Sequence, residues 1–168
     1  WYNVTIRAEL NAVRIGHFSS IGDGTAIYTA HAMPHGMSAS VNIGKNVQIE
    51  SGCVIHSCII DDDCVIGAGS VIGEGARLER GAQILANTVV PPGRLIPAGQ
   101  VWGGNTAKYV RELSKEEQMQ NYAASYTAGA SMEADAFSLW PHEVKKDGDA
   151  QSESMENYAT RKYFNNMQ

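Results

Sequence analysis

Five histidines and three cysteines are the side chains here best suited to bind a metal or attack a substrate. His31 and His35 form an H-x-x-x-H pair, and with His56 they supply the donor count of a three-histidine site. Three such ligands hold a catalytic zinc, which lowers the pKa of a bound water to about 7. On a helix that spacing would put both imidazoles on one face, but Pro34 and Gly36 argue against a helix. His31 and His35 are therefore expected as solvent-facing loop residues, and His17 and His142, which carry no motif, as surface residues. Cys53, Cys58 and Cys64 are an odd set without a C-x-x-C pair. They read as small buried residues of a reducing compartment rather than as a redox or metal centre.

The elements that must position these groups announce themselves by a six-residue period. Ile15, Ile21 and Ile27 begin an aliphatic column, and Ile43, Ile49 and Ile55 resume it after a break. One five-residue step leads to Ile60, Ile66, Ile72, Leu78, Ile84, Val90 and Ile96. An amphipathic helix repeats every 3.6 residues and a half-buried strand every two, so neither gives this pattern. Small residues follow many anchors directly, as at Gly16, Gly22, Gly44, Gly67 and Gly73. A second small or aliphatic position falls four residues after an anchor, at Ser19, Thr25, Val47, Cys53, Cys64, Ser70, Ala76, Ala82 and Thr88. Three hexads close a triangular coil of about 18 residues, with anchors filling the prism and small residues turning its corners. The fold expected is a mainly β, single-stranded left-handed parallel β-helix over 1–107, with a C-terminal helix over 108–136 and an extended tail over 137–168.

The break at about 29–42, with Ala30 to Met37 out of register, reads as a loop thrown out of a coil, where function commonly sits. Pro97–Gly104 reads as turn. Ser114 and Glu117 form a capping-box signature. Met119, Tyr122, Ala123, Tyr126 and Ala130 follow at helical spacing, an apolar stripe expected to lie on the prism or on a neighbouring subunit. The polar tail ends in Tyr158, Tyr163 and Phe164, aromatics suited either to docking or to local packing.

Composition narrows the function classes. The 168 residues carry a net charge of −5 and no basic run, which argues against nucleic acid and anionic lipid as partners. No stretch reaches the ~18 consecutive apolar residues of a transmembrane span. The start at Trp1 reads as a processed or truncated one, so a targeting peptide is neither visible nor excluded.

Trp1-Tyr2 followed by Arg7-Ala8-Glu9 resembles the W-Y…R-G-D motif of the γ-carbonic anhydrases. Val101-Trp102-Gly103-Gly104-Asn105-Thr106-Ala107 resembles that family's V-W-G-G-N-P-A. Together with the repeat, the resemblance covers roughly residues 1–126. The loop length, long helix and tail are similar to the carbonic-anhydrase-like subunits of mitochondrial respiratory complex I. Family chains carry residues before the W-Y motif, which implies one further early coil.

The resemblance implies that zinc in the active enzymes is held by three histidines, whose positions here are Tyr28, Ser51 and His56. The R-G-D carboxylate falls on Glu9 and the family glutamine on Gly22, while Arg7 and Asp23 persist as vestigial neighbours. A phenol with an ordinary pKa of about 10 and a serine hydroxyl are poor zinc ligands at neutral pH. The expectation is a degenerate, non-catalytic member with no catalytic residue and no cofactor of its own. In the family the first and third ligands come from one chain and the second from its neighbour. Zinc would then be confined to an interface between other subunits of a heterotrimer. The resemblance further implies partners among γ-carbonic-anhydrase-like subunits and complex I membrane-arm subunits, at the matrix side of the mitochondrial inner membrane. The rival readings are an active zinc carbonic anhydrase and a hexapeptide acyltransferase with a histidine base. No distinctive acyltransferase loop motif is present.

Overall fold

The structure is a computed structural model and describes residues 1–33, 38–121 and 123. Among the described residues, sixteen short strands wind as a parallel β-solenoid with three faces. The first face stacks β1 (Thr5–Arg7), β4 (Ala26–Tyr28), β7 (Val54–His56), β10 (Val71–Ile72) and β13 (Val89–Val90). The second stacks β2 (Val13–Ile15), β5 (Val41–Ile43), β8 (Ile59–Ile60), β11 (Arg77–Leu78) and β14 (Leu95–Ile96). The third stacks β3 (Ser20–Ile21), β6 (Gln48–Ile49), β9 (Val65–Ile66), β12 (Gln83–Ile84) and β15 (Gln100–Gly103), and ends in β16 (Lys108–Glu112).

The ladder registers turn the six-residue period into three inward columns. Ile6, Ile27, Ile55, Ile72 and Val90 pair along the first face. Ile15, Ile43, Ile60, Leu78 and Ile96 pair along the second. Ile21, Ile49, Ile66, Ile84 and Trp102 pair along the third. From Ile43 onward every member is buried, as is Ile27. Each buried aliphatic side chain is worth roughly 1.5–3 kcal/mol, so these columns are the principal stabilising element. From Thr25 to Thr88 the second small or aliphatic positions are buried too, as are all three free thiols. Burial pushes the Cys58 and Cys64 thiols up to about 12 and raises Cys53. The thiolate is the reactive form, so these cysteines act as small core residues.

The five-residue step has a structural reason. Ser57, with φ of 28°, occupies the shortened corner, and its hydroxyl is buried. Its Oγ accepts a hydrogen bond from the Ala30 amide at 2.6 Å and donates to the Ala39 carbonyl at 2.7 Å. One hydroxyl therefore pins both ends of the displaced loop. A buried hydroxyl left unpaired would cost about 1–3 kcal/mol, so the loop base and the corner stabilise each other.

Several boundaries differ from the sequence reading. The loop is shorter than 29–42, because β5 already begins at Val41 and pairs with β2. Gln100–Gly103 is strand rather than turn, since Trp102 continues the third column. Lys108–Glu112 is not the start of the helix but a strand, running antiparallel to β15. The helix, α1, occupies residues 115–121 and 123 of the described chain. Its capping box forms as expected: the Ser114 amide donates to Glu117 Oε2 at 3.0 Å and the Glu117 amide to Ser114 Oγ at 3.2 Å. Of its apolar stripe, the two described members do not lie on the prism: Met119 is 77% exposed and Ala123 is exposed. Polar groups turn inward instead, and Gln48 Nε2 donates to the Asn121 carbonyl at 3.4 Å. Tyr122, Tyr126, Ala130, the helix expected to 136, the tail over 137–168 and its aromatics lie outside the described residues. No helix among the described residues is long and apolar enough to cross a membrane.

Candidate functional site

Outward-facing residues beside the first column carry the chemistry. Arg7, Tyr28 and His56 each follow an inward isoleucine, and ladder pairing sets Arg7 beside Tyr28 and Tyr28 beside His56. The Tyr28 and His56 rings lie 5.4 Å apart, centroid to centroid, with planes tilted by 37°. His56 Nδ1 approaches Glu74 Oε1 at 3.2 Å, from the turn one coil further on. Arg7 is committed to Glu9, with Nη2 to Oε1 at 3.1 Å and Nε to the same oxygen at 3.2 Å. All four of these charged or ionisable side chains are partly exposed, so the pairs are screened by solvent.

Ser51 is not on that ladder. It stands in the turn between β6 and β7, facing a cleft of about 550 Å³ shared with Trp1, Gly22, Asp23 and Glu50. Asp23 Oδ1 accepts the Tyr2 amide at 2.7 Å. Gly22 packs so tightly on the next coil that a Cβ there would lie 2.5 Å from the Ser51 amide nitrogen. A longer side chain at position 22 is thus incompatible with this backbone. The candidates divide into two groups: Arg7, Glu9, Tyr28 and His56 on one face, and Gly22, Asp23 and Ser51 at the corner before it.

This donor set does not fit zinc. Of the three positions that the resemblance equates with zinc ligands, Tyr28 offers a phenol, Ser51 a hydroxyl and His56 an imidazole, whereas catalytic zinc asks for three good protein ligands. Among the described residues no group of three or more His, Cys, Asp or Glu is placed to hold a metal ion. The alternative cluster of His31, His35 and His56 is not assembled in what is described. His31 is exposed, with its carbonyl accepting from Asn11 Nδ2 at 3.4 Å, and His35 lies outside the described residues. His17 is exposed, as expected, and His142 also lies outside.

Two residues of the site escaped the sequence reading. Glu74 follows His56 by 18 positions, one coil, and that spacing was the available signal. Ser57 was hidden in the five-residue step, where the irregularity itself was the signal.

The fold and the repeat define the class: a hexapeptide-repeat β-solenoid. The family model described as "Bacterial transferase hexapeptide (six repeats)" matches residues 40–74, and "Hexapeptide repeat of succinyl-transferase" matches 58–92. A hexapeptide transferase family protein from Anaplasma phagocytophilum superposes with a TM-score of 0.73 at 25% identity, over 80% of this chain and 75% of that one. A putative acetyltransferase from Bacillus cereus superposes at 0.57 and 24% identity, covering 82% of this chain and 93% of that one. That second likeness is one of fold.

Sequence relatives are more particular. "Gamma carbonic anhydrase-like 1, mitochondrial" of Arabidopsis thaliana is 48% identical over 120 residues, 71% of this chain and 48% of that protein. "Gamma carbonic anhydrase 3, mitochondrial" is 45% identical over 119 residues, and "Gamma carbonic anhydrase 2, mitochondrial" 35% identical over 117, both from the same plant. These matches cover 71% and 70% of this chain, and 46% and 42% of those relatives. Over about 70% of its length the chain is thus similar to mitochondrial γ-carbonic anhydrases and carbonic-anhydrase-like proteins. It spans under half the length of the curated relatives it matches.

Proposed function

We propose that this chain is a non-catalytic γ-carbonic-anhydrase-like subunit whose solenoid serves as a structural part of a heterotrimer. The observation that carries the reading is the Tyr28–His56 ladder, in which a phenol stands where the resemblance puts the first zinc ligand. Ser51 removes the second ligand from the opposite corner. Both faces this chain would offer to neighbours are thereby deficient, and only two complete partners could hold zinc between them. An outward aliphatic row of Ala26, Val54, Val71 and Val89 runs beside the ladder and suits packing against a second solenoid. The mitochondrial names of the relatives support a mitochondrial location. The finer placing, on the matrix side of the inner membrane as a stabilising part of respiratory complex I, rests on the resemblance of loop, helix and tail.

Purification of the native assembly tests this. The expected result is co-purification with other γ-carbonic-anhydrase-like chains and at most one zinc per trimer from sites of this type. A free homotrimer with CO2 hydration or acyl transfer would overturn it.

A further inference from the structure

A parallel coil leaves backbone groups aimed at wherever the next coil would lie, and the ladder shows which residues carry them. On the second face, the amide after each anchor donates to the anchor carbonyl one coil further on. Gly16 donates to Ile43 O at 2.9 Å, Gly44 to Ile60 O at 2.8 Å, Asp61 to Leu78 O at 2.9 Å and Glu79 to Ile96 O at 2.9 Å. Two residues earlier the rule repeats, with Ile59 donating to Ala76 O at 3.0 Å and Arg77 to Arg94 O at 2.8 Å. The next members of these two series, on the last coil, are Pro97 and Leu95.

The three faces finish that coil in different ways. On the first, the returning chain takes the edge: the Val89 amide donates to Gly104 O at 3.1 Å and the Ala107 amide to Val89 O at 2.8 Å. On the third, β16 lies along β15. On the second, β14 is the outermost strand, paired only to β11 among the described residues. Leu95 is 50% exposed there, and its amide is directed off the stack by the ladder rule. Pro97 has no N–H, so the edge left uncovered among the described residues is also one from which a donor has been removed. Proline is tolerated in sheets at such edges. Earlier coils fill the same position with glycine, aspartate or glutamate, so the coil geometry itself does not call for proline.

We propose that Pro97 guards the open edge of β14 against pairing with a second copy of this chain. The C-terminal end of the solenoid is then a terminus, and neighbours join by the side faces. The first coil is the surface a copy would offer. Its anchors Ile6 and Ile15 are 46% and 42% exposed, and by the same rule their carbonyls accept from a coil laid against them. Coil-on-coil addition is head-to-tail and need not close, so each copy added would present a fresh edge to the next. The structural-subunit reading needs sideways contacts, and a closed end favours them, but the guard does not depend on that reading.

The test frees the amide in the full chain. Pro97→Val restores a donor on a strand-forming residue, and Pro91→Val does the same on the first face, where the returning chain already holds the edge. Sedimentation over a range of concentrations reads the mass, and hydrogen exchange reads the Leu95 amide. Wild type and Pro91→Val are expected to keep one mass throughout and to exchange Leu95 freely. Pro97→Val is expected at least to double its mass as concentration rises, with Leu95 exchange slowing in step. A Pro97→Val chain that keeps the wild-type mass overturns the proposal, as does equal association by both variants. A Leu95 amide already protected in the wild type overturns it too. Pro97→Ser frees the same amide and replaces the valine variant if circular dichroism shows that one misfolded. None of these outcomes touches the zinc count or the co-purification expected above, so the two readings fail separately.

Discussion

The first and last coils among the described residues are built from the same columns and covered differently. At the C-terminal end the third column terminates in Trp102, whose indole nitrogen donates to Gln100 Oε1 at 3.0 Å. Arg94 lies 4.8 Å over that ring and Tyr109 meets it edge-on at 6.4 Å. Antiparallel β16 then closes the sheet, and Ala107 and Leu113 are buried beneath it. At the other end, Ile6 and Ile15 occupy inward column positions yet remain 46% and 42% exposed, with Leu10 and Phe18 exposed near them. A parallel coil covers only its neighbours, so inward direction becomes burial only where something lies on top. The antiparallel reversal at β16, carrying Lys108, Arg111 and Glu112, also charges the last edge against further pairing.

The sharpest way to break this comparison is to truncate one column member at each end. Trp102→Ala should cost about 3–5 kcal/mol, while Ile6→Ala, already half in water, should cost under about 1 kcal/mol. Urea midpoints measure both, and equal losses would mean that the ends are alike. Next in size is the tight corner between them. Gly22→Ala drives a Cβ to within 2.5 Å of backbone and should cost about 1–3 kcal/mol. Gly24→Ala, with φ of 66° but open space around it, should cost about 1 kcal/mol in the same urea series. Ser57→Ala should also cost about 1–3 kcal/mol and speed hydrogen exchange at the Ala30 amide before it affects the closed end.

The smallest effect belongs to the closing helix. Glu117 is held down to about 2, first by its hydrogen bonds from Arg111 at 2.7 and 2.8 Å, then by the Ser114 amide. A carboxyl depressed in the folded state stabilises it above the ordinary value of ~4.3 and ceases to do so as pH falls toward 2. Acidification through that window should fray the first turn of α1, read as faster exchange of the Ser114 amide, whose acceptor is the Glu117 carboxylate, with the solenoid columns unaffected. Because the pair is exposed, the change is expected to be local.

How much of this was legible in the sequence depended on which way a residue points. The thirteen aliphatic anchors, the buried cysteines at the corners and the Ser114–Glu117 box were all readable, because a regular period or a local spacing encodes them. Ile6 and Trp102 were missed as column members. The first lies nine positions before Ile15, off the six-residue beat, and the second is aromatic. Strand β16 was missed because antiparallel return after a parallel solenoid leaves no periodic trace. Met119 turned out not to lie on the prism, since helical spacing defines a stripe but not what it meets. The approach of Glu74 to His56 was missed for a related reason: the six-residue period reports the interior, whereas outer-face pairs show only as the one-coil spacing of 18 residues.

The alternation on the first face has one more consequence. Ile27 and Ile55 look inward while their immediate neighbours Tyr28 and His56 look outward, so the two surfaces of each strand answer to different demands. Replacing a residue on the outer row leaves the prism's filling untouched. Such an architecture can shed an activity and outlive it, since the lettering on the wall is not what holds up the wall.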